Sequence, residues 1–397
     1  MKDQIQDIID RFGPRLAGSD AEKNAQLYIA SLMKQITDDV SIEPFQAPLT
    51  AKFGKMKWYT AINLLSLVVF CYSPIAAFIL SSIGATVLVC DLMRNDGIAD
   101  FLFPLQTSYN VSAALEPMGE VKSTLIFSGH MDSTQECRWW YQLKKTGAHL
   151  TIASGLIIAL FPVFLIWYIV SAHLFPGLAT FNYWIYFAFV LLSPITIIYV
   201  TFHGDILVDG ACDNLSGVII SKNVVSAFAD PVNKGRSTLK NTRLRFISFG
   251  AEEKGLRGST AYCKAHLSAL QKEKAHLLNI DSVRLPDEIN IVTGEIMSFV
   301  SFDKELITKT EKAFQSQHIF HKKGTLPMGG TDAIPFQQRG IPSLSIIGMN
   351  MKSLDPTYHT RLDTIDNVDQ TAIDNVKNGL IELVKQWDKA QSCLKPL

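Results

Sequence analysis

Apolar positions along this chain follow three periods, and each predicts a different kind of element. Near the N-terminus Ile5, Ile8, Ile9 and Phe12 recur at helical spacing, as do Ala25, Tyr28, Ile29 and Leu32. They predict helices over 3–13 and 20–35. The turn between them offers Ser19 or Asp20 as an N-cap. Residues 40–46 alternate as a strand does. Short apolar runs at 110–114, 123–128, 244–249, 277–280, 289–292 and 343–347 are further strand candidates. Residues 216–228, 259–269, 304–314 and 371–391 are helix candidates. Strands alternating with helices predict the α/β class: a mixed, mostly parallel sheet flanked by helices. Functional groups then belong at the carboxyl ends of strands.

The third pattern is the absence of charge. No Asp, Glu, Lys or Arg occurs in the 33 residues between Lys57 and Asp91, or in the 59 between Lys145 and Asp205. Outside 58–92 and 146–204 lie all but one of the chain's charged residues. The expected organisation is one discontinuous soluble domain (1–57, 93–145 and 205–397) interrupted by two transmembrane hairpins (58–92 and 146–204). The first run is too long for one helix across about 30 Å of hydrocarbon. Ser73-Pro74 breaks it into short spans over 58–72 and 74–90, with a buried or re-entrant hairpin as the alternative. The second gives spans over 150–170 and 183–202, joined by a linker that holds Pro176 and Gly177. Trp167, Tyr168, Tyr183, Trp184 and Tyr186 cluster near that linker, as interfacial aromatics do. Two hairpins return the chain to the side it left. Lys52, Lys55, Lys57, Arg94, Arg138, Lys144 and Lys145 lie on the domain side of the spans, and the tips carry no Lys or Arg. The expectation is an integral membrane protein with four transmembrane helices and a cytoplasmic domain.

Lys plus Arg and Asp plus Glu both number 37, so no basic excess invites nucleic acid. The six cysteines form no C-x-x-C pair and two lie in apolar runs, which argues against a disulfide framework. The first fourteen residues carry both signs of charge and lack an apolar core, so no signal peptide is expected there.

Acids and histidines recur where apolar runs end. His130-Met131-Asp132 closes a strand. Residues two apart share a strand face, so His130 is placed to bind a metal while Asp132 accepts its other ring N–H. Asp213, in Asp209-Gly-Ala-Cys-Asp213-Asn-Leu-Ser-Gly217, either caps a helix or bridges two metals through its two oxygens. Glu252-Glu253 end another strand. One can ligate metal while its neighbour serves a metal-bound water as general base. Asp281 and His359 supply a further carboxylate and a second histidine. Together these residues give each of two Zn2+ ions a histidine, a carboxylate and a shared bridge.

With these motifs in view, the chain resembles the M28 family of dinuclear zinc peptidases, which includes bacterial leucyl aminopeptidases and glutamate carboxypeptidases. Pro14-Arg-Leu-Ala-Gly-Ser19, Ser108-Tyr-Asn110-Val, Gly330-Thr-Asp332-Ala-Ile-Pro-Phe336 and Gly340-Ile-Pro342 extend the likeness over the soluble part. The resemblance implies the zinc exopeptidase fold, with His130, Asp213, Glu253, Asp281 and His359 as metal ligands and Asp213 as the bridge. It implies Glu252 as general base, Asp132 as the partner of the ligating histidine, and a cis Asp213–Asn214 peptide. The departure is the insertion of 146–204 between the His130 motif and Asp213. The function implied is a membrane-anchored exopeptidase, foremost an aminopeptidase, acting on peptides that are apolar or membrane-derived. A carboxypeptidase or dipeptidase on the same site, an inactive receptor-like relative and a transporter are the alternatives. The last is disfavoured because the spans hold no Asp, Glu, Lys, Arg or His for an ion path.

Overall fold

The structure, a computed structural model, describes every residue except 94–96, 352 and 394–397. Arg94, counted above among the flanking basic residues, lies outside the described residues. The chain divides into two units. The first comprises Met1–Leu49, Leu105–Gln135 and Ile206–Leu397; the second comprises Thr50–Pro104 and Glu136–Asp205.

Nine strands of the first unit form one sheet: β1 (Val40–Ala47), β2 (Gln106–Leu115), β3 (Ser123–His130), β6 (Thr242–Phe249), β7 (Ala275–Asp281), β8 (Asn290–Glu295), β9 (Val300–Ser301), β10 (Lys322–Leu326) and β11 (Ser343–Ile347). Two short strands, β4 (Gln135–Cys137) and β5 (His203–Leu207), fall where the chain passes from one unit to the other. The sheet order is β1-β2-β6-β3-β7-β11-β8-β10, with β9 beside β8. The four central strands β6, β3, β7 and β11 run parallel. The β1–β2, β2–β6, β11–β8 and β8–β9 pairs are antiparallel. Every residue of β3 is buried, as a central parallel strand covered on both faces requires. Phe127, Phe246 and Phe249 are wholly enclosed, each contributing roughly 2–3 kcal/mol by burial. Helix Gly217–Ser226 packs on β3, β6 and β7 and against Gln370–Cys393.

Ser19 caps helix Asp20–Met33 by accepting from the Glu22 amide, so the polar turn after the first helix does what its composition predicts. Strand β10 was not legible. It is an edge strand whose lysines face solvent, so no apolar alternation marks it. Cys71, Cys90, Cys137, Cys212 and Cys263 form no disulfide.

The second unit is helical. Ala51–Phe70 and Pro74–Leu92 form a hairpin that turns at Ser73, whose hydroxyl caps the second helix with Pro74 in its first turn. Gly84 lets the two helices approach, since a β-carbon there would sit 3.3 Å from the Tyr59 carbonyl. Lys145–Leu174 is one long helix that begins five residues before the expected span and runs four residues into the expected linker. Asn182 ties it to the helix that follows: its amide donates to Ser171 Oγ at 2.7 Å and accepts from Trp167 Nε1 at 3.1 Å. Val68, Ile75, Ile79, Ile83, Leu160, Val163 and Leu191 point outward, an apolar surface suited to lipid. Among the described residues three helical segments, not four, are long and apolar enough to cross a membrane: Pro74–Leu92, Lys145–Leu174 and Pro176–Val200. Helix Ala51–Phe70 differs because Lys52, Lys55 and Lys57 occupy its first two turns. The flanking charges do not establish which side of a membrane the first unit occupies.

Candidate metal centre

Three neighbouring parallel strands carry the first donors. His130 is the last residue of β3, Asp281 the last of β7, and Glu252 and Glu253 lie just past the end of β6. Since β6, β3 and β7 are adjacent and parallel, their carboxyl ends form one edge. Asp213 enters from the turn Ala211–Ser216 that leads into helix Gly217–Ser226, and its peptide to Asn214 is cis. His359 arrives on the loop between β11 and the last helix. Ala251, Ser282 and His359 itself have left-handed backbones, with φ of 52°, 50° and 54°. Such conformations cost about 1–3 kcal/mol each for non-glycine residues and persist only where the surroundings impose them.

Asp213 stands between the two histidines. One of its oxygens lies 3.1 Å from His130 Nε2 and the other 3.3 Å from His359 Nε2. His359 Nε2 is also 3.1 Å from Glu253, and His130 Nε2 is 3.8 Å from Glu252. Donor atoms of His130, Asp213 and Asp281 lie within 4.8 Å of one another, and so do those of Asp213, Glu253 and His359. The groups share Asp213 and both are largely buried. Ligands on a tetrahedral ion at about 2.1 Å stand about 3.4 Å apart, close to these histidine–carboxylate separations. Four acids packed with two histidines leave an excess of buried negative charge, which cations or protons must neutralise. The donor set therefore fits metal.

The electrostatics follow. Burial pushes the Asp213 carboxyl up, but the hydrogen bonds from His130 and His359 outweigh it and hold it well below the usual range. Burial alone would lower His130, yet Glu252, Asp132 and Asp213 raise it far above an ordinary imidazole. Burial lifts Glu252 well above the carboxylate range, opposed by His130 and reinforced by Asp332 and Glu253. Asp281 is pushed up to about 6, first by burial and then by the Asp213 charge.

A set of buried groups grips the loops that carry these residues. The two Asp132 oxygens accept the backbone N–H groups of Glu252 and Glu253, each at 3.0 Å. His130 Nδ1 lies 3.0 Å from the Asp132 carbonyl oxygen and 3.5 Å from its carboxylate. Asp132 thus joins the His130 motif to the Glu252-Glu253 turn. Asp363 accepts the amides of Cys212 at 2.6 Å and Asp213 at 3.1 Å. Burial and the Asp213 charge push it up to about 7. Glu22 accepts from Gly18, Ser108 and Ala251, the residue before Glu252. Tyr358 is stacked on His359 with ring centroids 4.0 Å apart. Asp332 is wholly buried, and burial raises it to about 7. The sequence places Asp332 inside a motif but assigns no task to it, to Asp363 or to Tyr358. It assigns none to Glu22, whose partners are 86 and 229 residues away.

Fold and site define an α/β protein with a buried histidine–carboxylate centre at the carboxyl edge of its parallel strands. Residues 194–384 match the model of peptidase family M28. Aminopeptidase YwaD of Bacillus subtilis is 27% identical over 216 residues, covering 51% of this chain and 44% of that protein. A glutamate carboxypeptidase 2 homolog of Caenorhabditis elegans is 26% identical over 196 residues, covering 44% of this chain and 25% of that protein. These matches span less than half the length of the curated relatives. The crystal structure of a zinc aminopeptidase from Bacillus subtilis superposes with a TM-score of 0.58 at 16% identity, over 97% of this chain and 94% of the other. A glutaminyl cyclase from an Acidobacteriales bacterium does so at 0.55 and 12%, over 98% and 94%. The fold alone therefore does not choose the reaction. What the comparisons show is a match to peptidase family M28 over residues 194–384, with aminopeptidase and glutamate carboxypeptidase-like relatives.

Proposed function

We propose that the protein is a membrane-anchored, zinc-dependent exopeptidase of the aminopeptidase type. The observation that carries this reading is Asp213, whose two oxygens each approach a different histidine, at 3.1 and 3.3 Å. In this reading His130, Asp213 and Asp281 hold one Zn2+, and Asp213, Glu253 and His359 hold a second. When bound, the ions supply Lewis-acid activation of water and of the scissile carbonyl.

The chain's own residues do the rest. Glu252 sits beside the cluster without belonging to either donor triad, and burial raises its proton affinity. It takes a proton from the attacking water and returns it to the leaving amine. Asp132 holds the amides of Glu252 and Glu253 and so fixes the base relative to the donors. The apolar helices anchor the chain, with the first unit on the cytoplasmic side and with apolar or membrane-derived peptides as substrates. Glu252→Gln tests the core of the reading: zinc content should match the wild type while turnover of free-amine peptides in detergent nearly vanishes. Normal hydrolysis by that variant would refute the assignment. Peptides blocked at either end separate an aminopeptidase from a carboxypeptidase or dipeptidase, and activity equal on soluble and lipid-bound peptides would count against the substrate class.

A further inference from the structure

The chain between the His130 motif and Asp213 is interrupted by the whole of Glu136–Asp205. β4 pairs with β5 at the base of that insertion, but no short covalent connection fixes the distance between these two donors. Closing so long a loop is entropically costly, and cross-contacts must hold its ends together. We propose that Arg15 is the positioning residue that does this, setting the separation of His130 and Asp213 and with it the zinc affinity of the centre. The inference rests on the zinc reading above.

Arg15 is wholly buried, and its guanidinium is spent on backbone carbonyls. Nε donates to Met131 at 2.9 Å, Nη1 to Gly13 at 2.8 Å, and Nη2 to Asp209 at 2.8 Å and to Gly210 at 3.3 Å. Met131 lies between His130 and Asp132, and Gly210 lies three residues before Asp213. One planar fork thus spans both ends of the interrupted loop. Its own backbone is fixed to the first end: the Arg15 amide donates to Ser133 Oγ and the Ser133 amide to the Arg15 carbonyl, each at 3.0 Å. A further bond at 3.0 Å, from the Val208 amide to the Thr134 carbonyl, closes the same gap. Gly210 is shaped to this contact. Its φ is +63°, and a β-carbon would stand 3.0 Å from Arg15 Nη2 and 2.7 Å from Ser133 Cβ. Lysine cannot substitute, because a single ammonium does not reproduce the rigid fork that meets carbonyls on two segments at once.

The test is a zinc titration of the full chain in detergent against a chromophoric chelator, for the wild type, Arg15→Lys and Arg15→Met. The wild type should take up two equivalents. Arg15→Lys should weaken at least one by about 10–100-fold, the range seen when groups that orient metal ligands are altered. Its kcat should fall at limiting zinc and recover with excess zinc, while KM for peptide stays constant. Wild-type affinity for both equivalents in Arg15→Lys would overturn the proposal, as would loss of thermal stability alone with affinity unchanged. If Arg15→Met does not fold, Arg15→Lys decides. A wild type that takes up no zinc overturns the functional reading and this inference together. Two tight equivalents in both wild type and Arg15→Lys overturn only the inference.

Discussion

Replacing Asp132 by asparagine leaves the shape of the side chain and removes half of what it does. The carboxylate is wholly enclosed and accepts two backbone N–H groups at 3.0 Å, from Glu252 and Glu253. Asparagine has one acceptor oxygen, so its NH2 must face the other backbone N–H. One charge-assisted hydrogen bond is lost, worth about 1.5–3 kcal/mol, and a buried donor is left without a partner, at about 1–3 kcal/mol. The two overlap, and a total of about 3 kcal/mol is the working figure. Expressed wholly in rate, that is about a hundredfold. The effect should fall on kcat, because the turn it frees carries the proposed base and a proposed ligand, whereas no reading of the site gives Asp132 a contact with peptide. The assay is steady-state hydrolysis of a leucine anilide in detergent, with zinc content measured on the same preparations. The expected result is kcat lowered by about a hundredfold, KM nearly unchanged and zinc content reduced. Asp132→Asn with full zinc and kcat within a few-fold of wild type would show that the two amides do not need their carboxylate, and the positioning argument would fail.

Zinc binding should tighten as pH rises, because Asp281, held at about 6, must lose its proton to ligate. Between pH 5.5 and 7.5 that carboxylate alone gives about a fourfold change in affinity, and an affinity flat with pH would contradict it. The metal-free protein should behave oppositely: Asp281 titrates higher folded than unfolded, so its contribution is present below the unfolded value and is lost as pH rises through about 6. Thermal melts of chelated and zinc-loaded protein check both signs. Gly217→Ala should abolish or severely impair folding, since its β-carbon would lie 2.2 Å from the Ile280 carbonyl oxygen and 2.3 Å from Asn214 Oδ1; a normal yield with normal zinc uptake would count against the geometry of that turn. Alkaline carbonate should leave the chain in the membrane pellet, and release into the supernatant would remove the membrane reading of its apolar helices.

What was legible before folding depended on whether information is carried locally. The central strands were, because strands covered on both faces need apolar runs, and Leu125-Ile126-Phe127 of β3 and Phe246-Ile247 of β6 supply them. The break at Ser73-Pro74 was, because a cap and a proline act on their own turn. The edge strand β10 was not, since its solvent-facing side chains obey no core. Nor was the reduced count of spanning helices, because only the folded chain shows that the first helix starts at Ala51 and so takes Lys52, Lys55 and Lys57 into its first turns.

The order of acids and histidines, their positions at the ends of apolar runs and the two uncharged stretches were properties of the sequence itself. They depend on residue type and short-range spacing, which the chain carries whether folded or not. Only the tertiary structure decided that Asp213 faces one histidine with each oxygen, that Asp132 holds the Glu252-Glu253 turn, and that Arg15 spans the two ends of an interrupted loop. Those contacts join residues about 80 to 195 positions apart, and no local period in a sequence records which distant backbone a buried charge will meet.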